Sequence, residues 1–354
     1  MGPLEGVRVV ELASGAPCAF AATVLADLGA DVVRVDRPGE GGSGPADPLS
    51  RSRRSVTADL KDPGDARRVR ALVDRADVLL EGLRPGTCER LGLGPDSFTE
   101  SHPGLVYARL SGWGRKGDWA RRPGHDISFL ALSGLLDADA GAAGVPAPPS
   151  TYLSTFAGGG LLQVVGVLAA LHERSRSGRG QVVDAAMADG AALLDVMVRQ
   201  WRENPGNVTV TDAPYYTVYA CQDGRHVAVG AIEPRFYEVL VTQLGLGDDL
   251  PDRGDESAWP RLRERFARAF LGRPRDHWVK VFTENEACVV PVLDREEAAE
   301  HPALQDRAAF VEVAGRLQPS PAPRFTRTPA ATPRPAPVPG ADTVLVPRDW
   351  GAAV

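Results

Sequence analysis

The sequence predicts an α/β fold, with a large domain built on a parallel sheet and a smaller α+β domain. Three observations predict it. First, the chain opens with strand, helix and strand signals at 7–12 (VRVVEL), 20–28 and 31–35 (DVVRV). Two strands joined through a helix pair in parallel, with a crossover connection. Second, strand-like apolar runs of the same kind recur at 76–81, 105–110 and 181–184. Third, the texture changes after an Asn/Gly/Pro-rich stretch at 203–211, which reads as a domain boundary. Beyond it, 215–220 and 226–229 flank Gln222-Asp223-Gly224-Arg225, a hairpin turn signal, and helices follow at 235–244 and 258–270. The large domain is placed at 1–200 with 318–354, and the small domain at 212–312, with linkers between.

The bulk properties agree with a packed protein. The chain has 354 residues, 43% hydrophobic and 24% charged, enough for one large domain or two ordinary ones. Its net charge of -6 and the lack of a dominant basic face argue against nucleic acid or an anionic membrane as partner. No run approaches the roughly 18 apolar residues of a membrane span. The opening Met1-Gly2-Pro3-Leu4-Glu5 lacks the features of a signal peptide. Cys18, Cys88, Cys221 and Cys288 lie far apart without a CxxC pair, as expected of reduced thiols in a cytoplasmic protein. There is no metal-binding motif and no internal repeat.

Taken in order, the first strand runs into a loop at 13–18, and the helix at 20–28 is closed by Gly29. Asp36 ends the second strand, where a nucleotide ribose can be held. The loop before the helix reads Ala13-Ser14-Gly15-Ala16-Pro17-Cys18, however, and not G-x-G-x-x-G, so a nicotinamide or flavin site is not expected. A Gly/Pro-rich loop leads to the basic cluster Arg51-Ser52-Arg53-Arg54-Ser55, the run 56–60 and Lys61. A polar helix at 65–74 follows. The strand at 76–81 runs into Gly82-Leu83-Arg84-Pro85-Gly86 and a helix through Arg90. The strand at 105–110 ends in Ser111-Gly112-Trp113-Gly114. The carboxyl ends of such strands are where parallel sheets hold ligands.

The rest of the chain is organised around residues 124–160. Gly124-His125-Asp126 opens an apolar, helix-like run at 127–136, and an Ala/Gly/Pro loop covers 137–150. Thr155-Phe156-Ala157-Gly158-Gly159-Gly160 then opens a second apolar helix at 161–172. A helix follows the last strand at 185–198, and the chain from 310 onward is proline-rich and crosses back over the first domain.

His125 can act as a general acid/base near neutral pH. The plain alternative for the His125-Asp126 pair is a polar helix start, with Asp126 serving the positive helix end. Arg34, Arg37, Arg51, Arg53, Arg54 and Lys61, with Arg84 and Arg109, lie at strand ends or in a loop on one side of the predicted sheet. Together they can hold a multiply charged phosphate ligand; singly, each reads as a solvated cation. Glu233, in Gly230-Ala231-Ile232-Glu233-Pro234, can pair with a histidine or cap a helix. Gly158 to Gly160 can admit a ligand close to the backbone or allow tight helix packing. The cysteines read as packing residues rather than nucleophiles.

These same segments carry a family resemblance. They include 7–12, 26–34 (ADLGADVVR), 54–61 (RSVTADLK), 84–86, 109–114 (RLSGWG), 124–127 (GHDI), 180–187, 213–216, 230–234 (GAIEP) and 288–293. In this order they resemble the family III CoA-transferase superfamily over nearly the whole length. The His-Asp pair and the Ala-Ile-Glu-Pro segment resemble its α-methylacyl-CoA racemase branch rather than the transferases. The resemblance implies a Rossmann-like sheet in the large domain and an interlocked homodimer with active sites between subunits. It implies an acyl-CoA thioester substrate and no separate cofactor. CoA would be held near Arg34, Arg37, Arg54, Lys61, Arg84 and Arg109. His125 would be one acid/base, supported by Glu233, with Asp126 beside it.

Two departures bear on chemistry. Racemases of the family resemble Gly-Asp-Phe-Ala-Gly-Gly-Gly where this chain has Ser154-Thr155-Phe156-Ala157-Gly158-Gly159-Gly160. That aspartate is the second acid/base, and a hydroxyl has no basic form near neutral pH. The first loop, Ser14 to Phe20, also lacks the family's histidine. The expected activity is proton transfer at the α-carbon of a CoA thioester, racemase- or epimerase-like with an altered acid/base site. The alternatives are repurposed enolate chemistry (isomerase, lyase or cyclase), a CoA transferase using Glu233 or Cys18, and a non-catalytic CoA-thioester binder.

Overall fold

The computed structural model describes residues 2–138, 152–196, 199–200, 213–247 and 249–352. The expected linker at 203–211 and most of the expected loop at 137–150 lie outside them. Among the described residues, 2–138, 152–196 and 305–352 form one compact unit, and 199–200, 213–247 and 249–304 form a second.

The first unit holds six strands: β1 (Arg8–Leu12), β2 (Asp31–Asp36), β3 (Arg54–Thr57), β4 (Val78–Glu81), β5 (Val106–Ser111) and β6 (Val182–Ala186). They pair in the order β3-β2-β1-β4-β5-β6, every pair parallel. Both faces are covered, so the strands are apolar on both sides. Val9, Val32, Val78, Leu80 and Val106 pack with helix α1 (Ala16–Asp27). Val10, Val33, Leu79 and Tyr107 pack with helix α2 (Pro63–Val73). Helix α3 (Thr87–Arg90) follows β4. Helix α1 is apolar nearly all round and correspondingly buried. It starts at Ala16, inside the stretch expected to be a loop, because Pro17 in its first turn already has a helical φ.

The central stretch differs from expectation in two ways. The run expected as one helix at 127–136 is two, α4 (Asp126–Ser133) and α5 (Leu135–Ala138), separated by Gly134 in the left-handed region at φ +86. The glycine run does not open a helix but lies inside one, a π-helix over Leu153–Leu161, continuous with α6 (Leu162–Ser177). A Cβ on Gly158 would lie 3.0 Å from the backbone of Gly190 in helix α7 (Met187–Leu194), so two helices meet backbone to backbone. Of the two readings of these glycines, tight packing is the one observed. The 25-residue stretch Leu153–Ser177 is long and apolar enough, by length and composition, to cross a membrane. That corrects the expectation that no run approaches such a length. Here Val164, Val167 and Ala170 of this stretch are buried with Val106, Ala108 and Leu110.

The second unit has a three-stranded antiparallel sheet of β7 (Tyr216–Ala220), β8 (His226–Gly230) and β9 (Val289–Pro291). Its helices are α8 (Pro234–Gln243), α9 (Trp259–Phe270), α10 (Arg275–Glu284) and α11 (Arg295–Glu300). Trp259, Leu262, Phe266 and Phe270 fall on one face of α9, and that face is buried. Arg275 at the start of α10 is gripped by both oxygens of Glu297, at 2.8 and 2.7 Å.

The chain then returns to the first unit with an antiparallel hairpin, β10 (Phe310–Val313) and β11 (Arg316–Pro319), and ends near helix α12 (Leu345–Trp350). Its last segment covers the outer edge of β3. Ser55 N–H donates to the Asp342 carboxylate at 2.9 Å, Asp342 N–H donates to Ser55 C=O at 2.8 Å, and Thr57 N–H donates to Thr343 Oγ1 at 3.1 Å. Trp350 Nε1 donates to Asp31 at 2.9 Å. An edge that would otherwise show unpaired backbone groups is thereby satisfied. Asp342→Ala is expected to cost about 1–3 kcal/mol, since it strands a buried donor. Urea unfolding checks this, and a loss below about 0.5 kcal/mol would show that water replaces the carboxylate.

Candidate active site

Two adjoining cavities lie at the carboxyl ends of the strands. The chain leaves β1 toward β2 and leaves the neighbouring β4 toward β5, which opens a crevice between them. The first cavity, about 420 Å³, is lined by Gly15 and Cys18 after β1, Arg84 after β4, Ser111 and Trp113 at the end of β5, and Gly124. The second, about 610 Å³, is lined by Ala13, Arg37 and Lys61 after β1, β2 and β3. Leu83, Thr87 and Arg90 line both. Gly86 supplies the turn that brings Arg90 there. It has φ +84, and a Cβ on it would lie 3.3 Å from Arg90 Nη1.

The arginines grouped from the sequence separate into two classes. Arg37, Lys61 and Arg84 line the cavities. Arg34, Arg54 and Arg109 are not among the lining residues of either, and each is held by carboxylates. Arg34 pairs with Asp36 at 2.6 Å and Arg109 with Glu81 at 3.1 Å and with Glu89. Arg54, the first residue of β3, pairs with Asp31 at 2.5 Å and Asp349 at 2.8 Å, at the amino ends of the strands. Arg51 and Arg53 are buried against Asp27 (2.6 Å) and Glu11 (3.1 Å). Arg34, Arg51, Arg53, Arg54 and Arg109 are thus held by carboxylates without lining either cavity, while Arg37, with Glu40 at 3.6 Å, Lys61 and Arg84 line them. Asp36 is likewise engaged by Arg34 and by Ser55 Oγ at 2.6 Å, not held ready for a ribose. Sequence reasoning missed Arg90, Arg121 and Arg122, which line the first cavity with Arg84, while none of the described residues lining it is acidic. The signal for Arg90 was its place one helical turn beyond Arg84-Pro85-Gly86 on the same edge.

Burial sets the chemistry of the neighbouring groups. It pushes the Cys18 thiol up to about 12, and nearby Glu11 adds to this, so no thiolate is available there. Burial also pushes the Glu11 carboxyl up, and Arg53 opposes it.

His125 is the residue before α4 and is exposed. Gly124 ahead of it is required by close packing, since a Cβ would lie 2.8 Å from the Phe129 ring and 3.0 Å from Trp113. Asp126 does not serve its own helix alone. Its Oδ1 accepts the Thr155 N–H at 2.7 Å and the Ser154 hydroxyl at 2.7 Å. The fold thus brings the His125-Asp126 pair and Thr155, 29 residues apart, to one place. Glu233 belongs to the second unit. It is exposed at the N-cap position of α8, where its carbonyl accepts from Phe236 and Tyr237 while its side chain makes no capping bond. Cys288 is exposed and sits at φ +52, unlike the buried Cys18, Cys88 and Cys221.

Comparison with known proteins fits this arrangement. The chain is 43% identical to the α-methylacyl-CoA racemase of Mus musculus over 358 residues, covering 98% of this chain and 93% of that protein. It is 43% identical to the α-methylacyl-CoA racemase of Homo sapiens, covering 92% and 87%. In fold it is similar to the Rv3272 crystal structure from Mycobacterium tuberculosis, with a TM-score of 0.81 at 27% identity over 98% of this chain and 99% of that one. Residues 4–343 match CoA-transferase family III, and with a ligand crevice placed at the switch of a parallel sheet, the chain belongs to that family.

Proposed function

We propose that this protein is a CoA-thioester enzyme of the α-methylacyl-CoA racemase kind, with one working acid/base where such enzymes use two. The observation that carries the proposal is the pair of adjoining cavities. One presents Arg37, Lys61 and Arg90 to a phosphorylated nucleotide, and the other runs from Arg84 to Gly124, the neighbour of His125. The two full-length racemase relatives support the same reading. His125 removes or delivers the proton next to the thioester carbonyl, and backbone N–H groups stabilise the enolate. Asp126 and Thr155 stand beside it, and Glu233 is the supporting carboxylate that the family resemblance implies. Of the cations proposed from the sequence, Arg37, Lys61 and Arg84 remain the CoA contacts, joined by Arg90; Arg34 and Arg109 are held in ion pairs, and Arg54 lies at the amino ends of the strands. CoA enters as part of the substrate, and the reading calls for no other cofactor. Cys18 is a poor alternative nucleophile because its thiol stays protonated.

The protein is proposed to be a cytoplasmic homodimer. Exposed apolar side chains on the first unit (Ile127, Leu132, Leu161, Val165 and Leu193) support an assembly that covers them. Four free cysteines support a reducing compartment. Light scattering should report a dimer that persists on dilution, and a monomer at micromolar concentration would refute the assembly.

Calorimetry should show binding of CoA and acetyl-CoA but not of NAD or NADP. Arg90→Ala should weaken CoA binding about tenfold or more, the worth of a hydrogen bond to a charged group. Binding of NAD at comparable strength would refute the ligand class.

The Thr155 reading makes a kinetic prediction. Inversion needs a proton source on each face of the enolate, and a hydroxyl is not one. In deuterated water, label should enter the α-position of a 2-methylacyl-CoA faster than the stereocentre inverts. Loss of one general acid/base costs about 10²–10⁴-fold, so the gap should be large, and Thr155→Asp should narrow it. Mass spectrometry and chiral chromatography follow the two rates. Equal rates in the unmodified protein would mean that another residue supplies the second proton.

A further inference from the structure

We infer that Asp126 is a positioning residue, with Ser154 as its partner, and that it fixes residue 155 relative to His125 without exchanging protons itself. What is positioned rests on the functional reading above; the brace itself rests on geometry. The π-helix Leu153–Leu161 begins without help from its own sequence. Its N-cap residue, Tyr152, sits at φ +79 and offers no capping side chain. The first N–H groups of a helix have no partner within it and need an outside acceptor. The Asp126 carboxylate, 29 residues earlier in the chain, supplies one.

A single carboxylate oxygen, Oδ1, accepts both the Thr155 N–H and the Ser154 hydroxyl, each at 2.7 Å. The same hydroxyl lies 3.1 Å from the Asp126 carbonyl oxygen. Ser154 is fully buried, while Asp126 and Thr155 are half-buried. Asp126 is also the first residue of α4, and His125 is the residue before it. One side chain therefore ties the start of α4 to the turn that carries Thr155. That task needs an acceptor in the right place, not a base, and an oxygen engaged by two internal donors is ill placed to collect a substrate proton. Ser154 had no role in the sequence reading. It stands where the family's racemases resemble glycine, so its hydroxyl arm of the brace belongs to this chain.

Asp126→Asn and Asp126→Ala separate the two roles. Asparagine keeps an acceptor oxygen and loses basicity; alanine loses both. For deuterium exchange into a 2-methylacyl-CoA, Asp126→Asn should keep kcat within about threefold. Asp126→Ala should lower it by about 10–100-fold through misplacement, with KM little changed. Amide hydrogen exchange of Thr155 in the ligand-free protein should quicken about tenfold or more in Asp126→Ala and stay near wild type in Asp126→Asn. Ser154→Ala, a milder change, should fall between, and serves in place of Asp126→Ala if that variant fails to fold by circular dichroism. Equal losses of kcat in the Asn and Ala variants would assign Asp126 a proton-transfer role and overturn the inference. If the unmodified protein exchanges no deuterium, the functional reading fails separately. Unchanged Thr155 protection in Asp126→Ala would then still overturn the brace.

Discussion

The arrangement depends on one topological constraint. In the order β3-β2-β1-β4-β5-β6, two neighbouring strands, β1 and β4, send the chain in opposite directions. Nothing can fill the space above their carboxyl ends from either side, because the connecting segments diverge. The loop after β1, the turn after β4 and the end of β5 are left lining a crevice. Small residues recur there. Ser14-Gly15-Ala16, Gly82 and Gly112-Trp113-Gly114 all lie at strand exits. A Cβ at Gly82 would lie 2.8 Å from Ser14 Oγ and 3.0 Å from Cys18 Cβ, so a side chain there would have to displace its neighbours.

A second principle governs charge. This domain is rich in arginine, and several of its arginines are internal fasteners. Arg53 is wholly buried and reaches Glu11, Thr23 Oγ1 at 2.6 Å and the Ala19 carbonyl, joining β1, α1 and the approach to β3. Arg51 joins Asp27 to Gln318 and the Pro319 carbonyl, at 3.1 and 2.7 Å, and so links α1 to the hairpin near the end of the chain. A planar guanidinium with five donors suits such multi-point joints, where lysine, with three donors, would leave acceptors unmatched. The cations at the cavities are Arg37, whose partner Glu40 lies 3.6 Å away on the exposed loop, with Lys61, Arg84 and Arg90. Acids neutralise the interior arginines, and none of the described residues lining the first cavity is acidic, while Asp59 lines the second.

Much of the fold was legible in the sequence, for a physical reason. A sheet covered on both faces reads as continuous apolar runs, and those at 7–12, 31–35, 76–81 and 105–110 became β1, β2, β4 and β5 within a residue or two. The hairpin of β7 and β8 was visible in Gln222-Asp223-Gly224-Arg225. The π-helix was not, because its winding is set by contact with Gly190, about 30 residues away, and no local propensity encodes it. The candidate site was legible in its residue types more than in their grouping. His125, Asp126 and Thr155 stood out as chemistry. Which arginine faces a cavity was hidden, because most of the acids that claim the others lie far off in the chain, Asp36 beside Arg34 being the exception. Asp349, which holds Arg54, is 295 residues away. Arg90 resembled any surface cation on a short helix; it is exposed, and its place beside the cavities follows from the turn at Gly86.

The covering of β3 by the last segment also sets an order of events in time. Ser55 and Asp342 are separated by 287 residues. At about 5–20 residues per second, synthesis leaves β3 without its cover for about 15–60 s, far longer than strands and helices need to form. Throughout that interval a nascent chain with β1 to β3 assembled shows an open sheet edge, able to pair with the strand of a neighbouring chain on the same messenger RNA. The fold is therefore completed only when the late-made segment reaches the early-made strand. Its period of greatest exposure to misassembly lies on the ribosome, before the residues that end it have been made.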